Sequence, residues 1–198
     1  VTNGTELHHY RSFLGPGGLE SVQITLDGPQ EVHDRLRPAP GGQGTYRRIR
    51  RNIDLALARG VRVSLRMNVG WENLTAIREL VAEFDRYGWL GHRQFHPYCA
   101  PVRGEGGPRE STRLQRAVIR LVREINAACR PRYGRDVLAM AGGAVRTKVA
   151  RLLAGDLLPA LTPAYCGAHL NMFVFSADGA IYTCWEGIGV PSARVGRF

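Results

Sequence analysis

The chain has 198 residues, 44% of them hydrophobic and 22% charged, which is the composition of a folded domain with a sizeable core. Twenty-seven basic against 17 acidic residues give a formal charge of +10. No apolar run reaches the ~18–20 residues that cross a bilayer, and four cysteines are too few for a secreted disulfide framework, so a reducing, cytoplasmic setting is expected.

Every basic residue except Lys148 is arginine. A GC-rich coding sequence accounts for such a bias; guanidiniums also suit carboxylate and phosphate binding better than ammonium groups do. The arginines are spread along the chain, with one dense run in "YRRIRR" at 46–51. No RNA-binding or helix-turn-helix signature accompanies them, which argues against nucleic acid. The abrupt start "VTNGTEL" and end "PSARVGRF" suggest a piece of a longer protein.

In chain order, residues 21–27 read as a strand, followed by a loop rich in proline and glycine ("PAPGGQG", 38–44). A helix is predicted from about Thr45 to Arg59, with Ile49, Ile53, Ala56 and Leu57 on one face and Gly60 as its C-terminal cap. The strand "VRVSLRMNV" (61–69) follows, then a helix from about Asn73, a candidate N-cap, to Arg86. A third strand is predicted near 92–98 and a third helix over 111–129. A short helix is placed near 145–154 in an otherwise indistinct stretch. "NMFVFSADGAIYTC" reads as a β-hairpin around Asp178-Gly179.

Strand–helix alternation implies parallel strands with crossover helices. Such strands are normally apolar on both faces, but these alternate. Val22, Ile24 and Leu26 interleave with Gln23, Thr25 and Asp27; Val61, Val63, Leu65 and Met67 interleave with Arg62, Ser64, Arg66 and Asn68. Each buried polar group without a partner costs ~1–3 kcal/mol, so these faces must meet water, one another or a ligand. Two readings follow: a one-sided sheet with a wet face, or an open α/β barrel around a polar ligand. In such barrels the site lies at the C-terminal strand ends, where Asp27, Asn68 and Tyr98 stand.

The string "ITLDGPQEVHDRLRP" with "GTYRRIRRNIDLALARGVRVSLRMNV" resembles the fourth and fifth strand region of radical SAM enzymes, nearest to the peptide-modifying branch related to anaerobic sulfatase-maturating enzymes. "TNGTEL" is similar to that family's third-strand end, and "CGAHLNMFVFSADGAIYTCWEGIG" resembles the start of a SPASM domain, marked by Cys166, Gly179 and Cys184. The resemblance implies the back half of an open (β/α)6 partial TIM barrel over 1–130, a connecting region over 131–163 and the beginning of a SPASM auxiliary-cluster domain over 164–198.

It further implies S-adenosylmethionine (SAM) as cofactor, reductively cleaved so that a 5′-deoxyadenosyl radical abstracts hydrogen from a peptide or protein substrate, with flavodoxin or ferredoxin as electron donor. On this resemblance Thr25 and Arg37 would hold the SAM carboxylate. Asp27 would bind the ribose or a substrate amide, or cap the turn, and Arg66 and Asn68 would line the next strand. His33 and Asp34 are expected to be structural, with Asp34 bonding backbone N–H groups. Cys166 and Cys184 would ligate an auxiliary [4Fe-4S] cluster through soft thiolates, with zinc as the rival metal. Cys99 and Cys129 read as core thiols, and His169 as a weak ligand candidate. The family's CxxxCxxC cluster motif and its glycine-rich second-strand element are absent from the sequence. The alternative is a non-catalytic basic α/β module that captures an acidic peptide through its arginines.

Overall fold

A computed structural model describes residues 1–102, 107–141, 153–154 and 173–198. The chain divides into two compact units, Val1–Ala144 and Val145–Phe198, and each is described by itself. The expected helix near 145–154 and Cys166 lie outside the described residues, apart from Leu153 and Ala154.

The first unit is built on four parallel strands in the order β1 (Ser21–Thr25), β2 (Arg62–Val69), β3 (Phe95–Pro101) and β4 (Ala139–Met140). The registers pair Thr25 with Arg66 and Arg66 with Tyr98. Partners in a parallel ladder share a face, so the period-2 pattern sorts the sheet into two sides. Val22, Ile24, Val63, Leu65, Met67, Phe95 and Cys99 are buried in one continuous core. Gln23, Ser64, Arg66, Asn68, His96 and Tyr98 stand half-buried on the other face.

The helices cover the apolar side. Helix α2 (Tyr46–Ala58) buries Ile49, Ile53, Ala56 and Leu57, as its 3.6-residue stripe requires. Helix α3 (Ile77–Arg86) buries Ile77, Leu80, Val81 and Phe84. Helix α4 (Gly107–Tyr133) buries Leu114, Val118, Leu121, Val122 and Ile125. No helix of the described residues is long and apolar enough to cross a membrane.

Several elements differ from the sequence reading, strand β4 among them, which falls in the stretch left without a predicted strand. The segment after Pro29, read as loop, contains helix α1 (Gln30–Leu36), which is too short for a periodic signal. Helix α3 starts at Ile77 rather than Asn73, because the Asn73 side chain is engaged elsewhere. The third strand runs from Phe95 to Pro101 rather than over 92–98, since the His92 carbonyl accepts the Phe95 N–H in a turn. Helix α4 extends past both predicted ends to Gly107 and Tyr133, through polar turns that carry no apolar stripe.

The second unit holds an antiparallel sheet of β5 (Val174–Phe175), β6 (Ala180–Tyr182) and β7 (Arg194–Arg197). Strands β5 and β6 form the hairpin expected around Asp178-Gly179. Gly179 has φ +79°, a left-handed conformation that glycine adopts without a Cβ penalty, and Asp178 Oδ1 accepts the Ala180 N–H at 3.2 Å. β7, which the sequence reading did not contain, pairs with β6.

Candidate functional site

The C-terminal ends of β1 and β2 are tied together by one buried carboxylate. Asp27, whose side chain is 6% exposed, pairs through Oδ2 with Arg37 Nε and accepts the Asn68 backbone N–H through Oδ1 at 2.8 Å. Asn68 Oδ1 in turn accepts from Arg66 Nε at 2.8 Å. Arg37, Asp27, Asn68 and Arg66 thus form one connected polar chain across the strand ends. Both Asp27 oxygens are occupied, so among the readings open for this residue the geometry displays a clip at the turn. Its pairing engages only Nε of Arg37, whose side chain is 43% exposed, and orients the guanidinium.

A residue outside the expected set completes the knot. The Asn73 side chain donates to the carbonyls of Asp27 (2.6 Å) and Asn68 (2.8 Å) and accepts the Gly70 N–H at 2.8 Å. It is 1% exposed. An amide with one acceptor and two donors can serve both strand ends and the turn at once. In the sequence Asn73 looked like an N-cap, and nothing local distinguishes the two uses.

Behind the turn, His33 is fully buried and bridges two loops. The Asp27 N–H donates to His33 Nδ1 at 3.2 Å, and His33 Nε2 lies 3.1 Å from Thr45 Oγ1. The Thr45 hydroxyl donates to the Arg37 carbonyl at 3.1 Å. An Nδ1 that accepts leaves the proton on Nε2, so the imidazole is neutral with a fixed tautomer. Burial lowers its pKa below the usual histidine value, with Asp27 and Asp34 opposing and Arg37 reinforcing that shift. Asp34 Oδ1 accepts the N–H groups of Thr45 and Tyr46, both at 2.8 Å. It thereby satisfies two orphan donors at the start of α2, the backbone role anticipated for it. A Cβ at Gly44 would collide with this carboxylate.

Beside this knot lies a cavity of about 440 Å³, which Asn3, Thr25, Arg37, Thr45 and Arg48 help to line. Thr25 ends β1 and is itself largely buried. Of the five expected cofactor-binding residues, Thr25 and Arg37 share this cavity, while Asp27, Arg66 and Asn68 form the polar chain beside it.

Two of the described cysteines belong to the first unit and one to the second. Cys99 is fully buried, and desolvation pushes its thiol up to about 12. Cys129 is half-buried on α4 and its pKa is also raised, mainly by desolvation. Cys184 is a half-buried free thiol directly after the β6 arm, in extended backbone at the start of a 3-10 turn. A cluster site needs thiolates converging on one point, and Cys166, expected to share such a site with Cys184, lies outside the described residues.

No protein-family model matches the sequence, and no curated protein does. Solved structures do match in fold. One is a histidine-tagged form of anSMEcpe, an anaerobic sulfatase-maturating enzyme, with bound AdoMet (SAM), at TM-score 0.64 and 17% identity over 99% of this chain and 50% of that one. A second is native anSMEcpe with bound AdoMet and a peptide, at TM-score 0.63 and 17% identity over 99% of this chain and 52% of that one. A third is native anSMEcpe with AdoMet, at TM-score 0.62 and 18% identity, covering 99% and 52%. The chain spans about half the length of these structures. The likeness is one of fold: over nearly its whole length the chain, with its parallel sheet, is similar to about half of the AdoMet-bound anSMEcpe structures.

Proposed function

We propose that this chain is the SAM- and substrate-binding portion of a radical SAM peptide or protein maturase with a SPASM-type tail. The observation that supports this most directly is the fold likeness over nearly the whole chain to an enzyme solved with AdoMet and with peptide. The donor set fits the cofactor. SAM carries an α-carboxylate, and the Arg37 guanidinium is oriented by Asp27 through Nε alone, at a cavity shared with the Thr25 hydroxyl. A guanidinium beside a hydroxyl suits a carboxylate through charge-assisted hydrogen bonds. Arg66 and Asn68 offer further polar groups on the half-buried face. The chemistry SAM supplies when bound in such enzymes is reductive cleavage followed by hydrogen abstraction from the substrate.

The catalytic cluster does not fit these residues. No CxxxCxxC spacing occurs among Cys99, Cys129, Cys166 and Cys184, and Cys99 is a buried, protonated thiol. No step is therefore assigned to this chain through that cluster. Cys184, with Cys166, is proposed as part of an auxiliary cluster site that needs further thiolates.

Equilibrium dialysis with radiolabelled SAM tests the reading. The chain should retain SAM, and Arg37→Ala should weaken retention by roughly 10- to 100-fold, because a hydrogen bond to a charged group is worth ~1.5–3 kcal/mol. No retention by the unaltered chain, or equal retention by a folded Arg37→Ala variant, would overturn it.

A further inference from the structure

A second concavity lies away from the Arg37 cavity. It has a volume of about 590 Å³ and is lined by Trp71 and by Arg109, Arg113, Arg116 and Arg120 of helix α4. The four arginines are spaced i, i+4, i+7 and i+11, so they form a single stripe along the helix. It runs opposite the face that buries Leu114, Val118, Leu121 and Ile125. At 1.5 Å per residue the stripe is roughly 16 Å long.

These arginines differ from several of those elsewhere in the unit. Arg37, Arg48, Arg50, Arg78, Arg130 and Arg132 each pair with a carboxylate. Among the described residues, no carboxylate pairs with Arg109, Arg113, Arg116 or Arg120. Adjacent like charges at these spacings destabilise a helix, and an anion laid along the stripe would relieve that repulsion. Trp71 is fixed at the groove: its Nε1–H donates to Glu110 at 2.6 Å, and the Arg113 guanidinium lies 5.6 Å from its ring centroid. Trp71 follows the C-terminal end of β2, and α4 follows β3. The groove therefore opens at the sheet end that also carries Asp27 and Asn68.

We propose that the Trp71–α4 groove binds an acidic stretch of the substrate polypeptide in extended form. This rests on the maturase reading above and adds the substrate's charge. An extended chain advances ~3.3 Å per residue, so about five residues span the stripe. Carboxylates at alternate positions recur every ~6.6 Å, close to the ~4.5–6 Å axial steps between the arginines. Single-stranded nucleic acid carries similar charge but is usually held by several stacking aromatics. Here one ring, partly covered by Arg113, lines the groove.

The test uses a fluorescein-labelled decapeptide of alternating Glu and Gly and its Gln–Gly counterpart, read by fluorescence anisotropy at two salt concentrations. The Glu peptide should bind more weakly at higher salt, and the Gln peptide should not bind. R113E/R116E should weaken the Glu peptide at least tenfold, and the neutral pair R116Q/R120Q severalfold. R35E/R51E, an equal charge change elsewhere, should stay within twofold of the unaltered chain. Equal loss in R35E/R51E, equal binding of the Gln peptide, or tighter binding of a single-stranded DNA dodecamer that displaces the Glu peptide would each overturn the proposal. SAM retention measured on the same samples separates the two readings. SAM held without peptide binding sinks the groove proposal alone; peptide bound without SAM sinks the maturase reading and leaves an acidic-peptide site.

Discussion

Removing Arg37 sets two magnitudes against each other. An ion pair with a 43% exposed guanidinium would, judged as a surface pair, contribute only ~0–1 kcal/mol. The partner carboxylate, however, is 6% exposed, and a buried charge that loses its partner keeps its desolvation cost. Arg37→Ala leaves Asp27 with the Asn68 N–H as its remaining donor. The buried side should dominate, giving a loss of ~1.5–3 kcal/mol, the range for hydrogen bonds to charged groups. With a urea slope of ~1–3 kcal/mol per M, the unfolding midpoint falls by about 1 M. Asp27→Asn removes the charge but keeps an acceptor for Asn68, so it should cost less. Adding Arg37→Ala to Asp27→Asn should then cost little more, a coupling of at least ~1 kcal/mol in the double-mutant cycle. If the two substitutions are additive, or Arg37→Ala alone costs under about 0.5 kcal/mol, the pair is solvent-screened and the clip does not stabilise the turn.

Two further outcomes follow from the buried titratable groups. His33 has a lowered pKa in the folded chain, so as pH falls below about 6.5 the unfolded chain takes up a proton that the folded one refuses, and stability declines. Urea midpoints at about pH 7.5 and about pH 5.5 should differ more for the unaltered chain than for His33→Asn; an equal difference would refute the neutral-imidazole assignment. Cys99, with its thiol near 12 and no exposure, should resist iodoacetamide at about pH 8 while Cys184 reacts; mass mapping that finds both alkylated at one rate would refute the difference in burial.

Much of the first unit was legible from periodicity. The alternation of Val22, Ile24, Val63, Leu65 and Met67 with polar residues predicted one covered and one polar face. The stripes of α2 and α3 predicted what covers it. These signals are local: a period of 2 or 3.6 states which side of an element is apolar, and burial follows from it. The Asp178-Gly179 hairpin was legible for the same reason, since a positive φ at glycine beside aspartate is a short-range preference. The backbone role of Asp34 also emerged, because its type and its place beside a turn suffice.

What tertiary structure decided was pairing across distance. Nothing near Asn73 shows that its amide will join the carbonyls of Asp27, 46 positions earlier, and Asn68. Nothing near Asp27 shows that both its oxygens will be taken, one by a guanidinium ten residues on and one by a backbone N–H 41 residues on. Arg109, Arg113, Arg116 and Arg120 were visible only as four of many arginines. Their groove exists because the loop after β2 sets Trp71 beside α4. Hydrogen bonds and clefts depend on which segments the core brings together, and that choice belongs to packing of the whole unit rather than to any window of sequence.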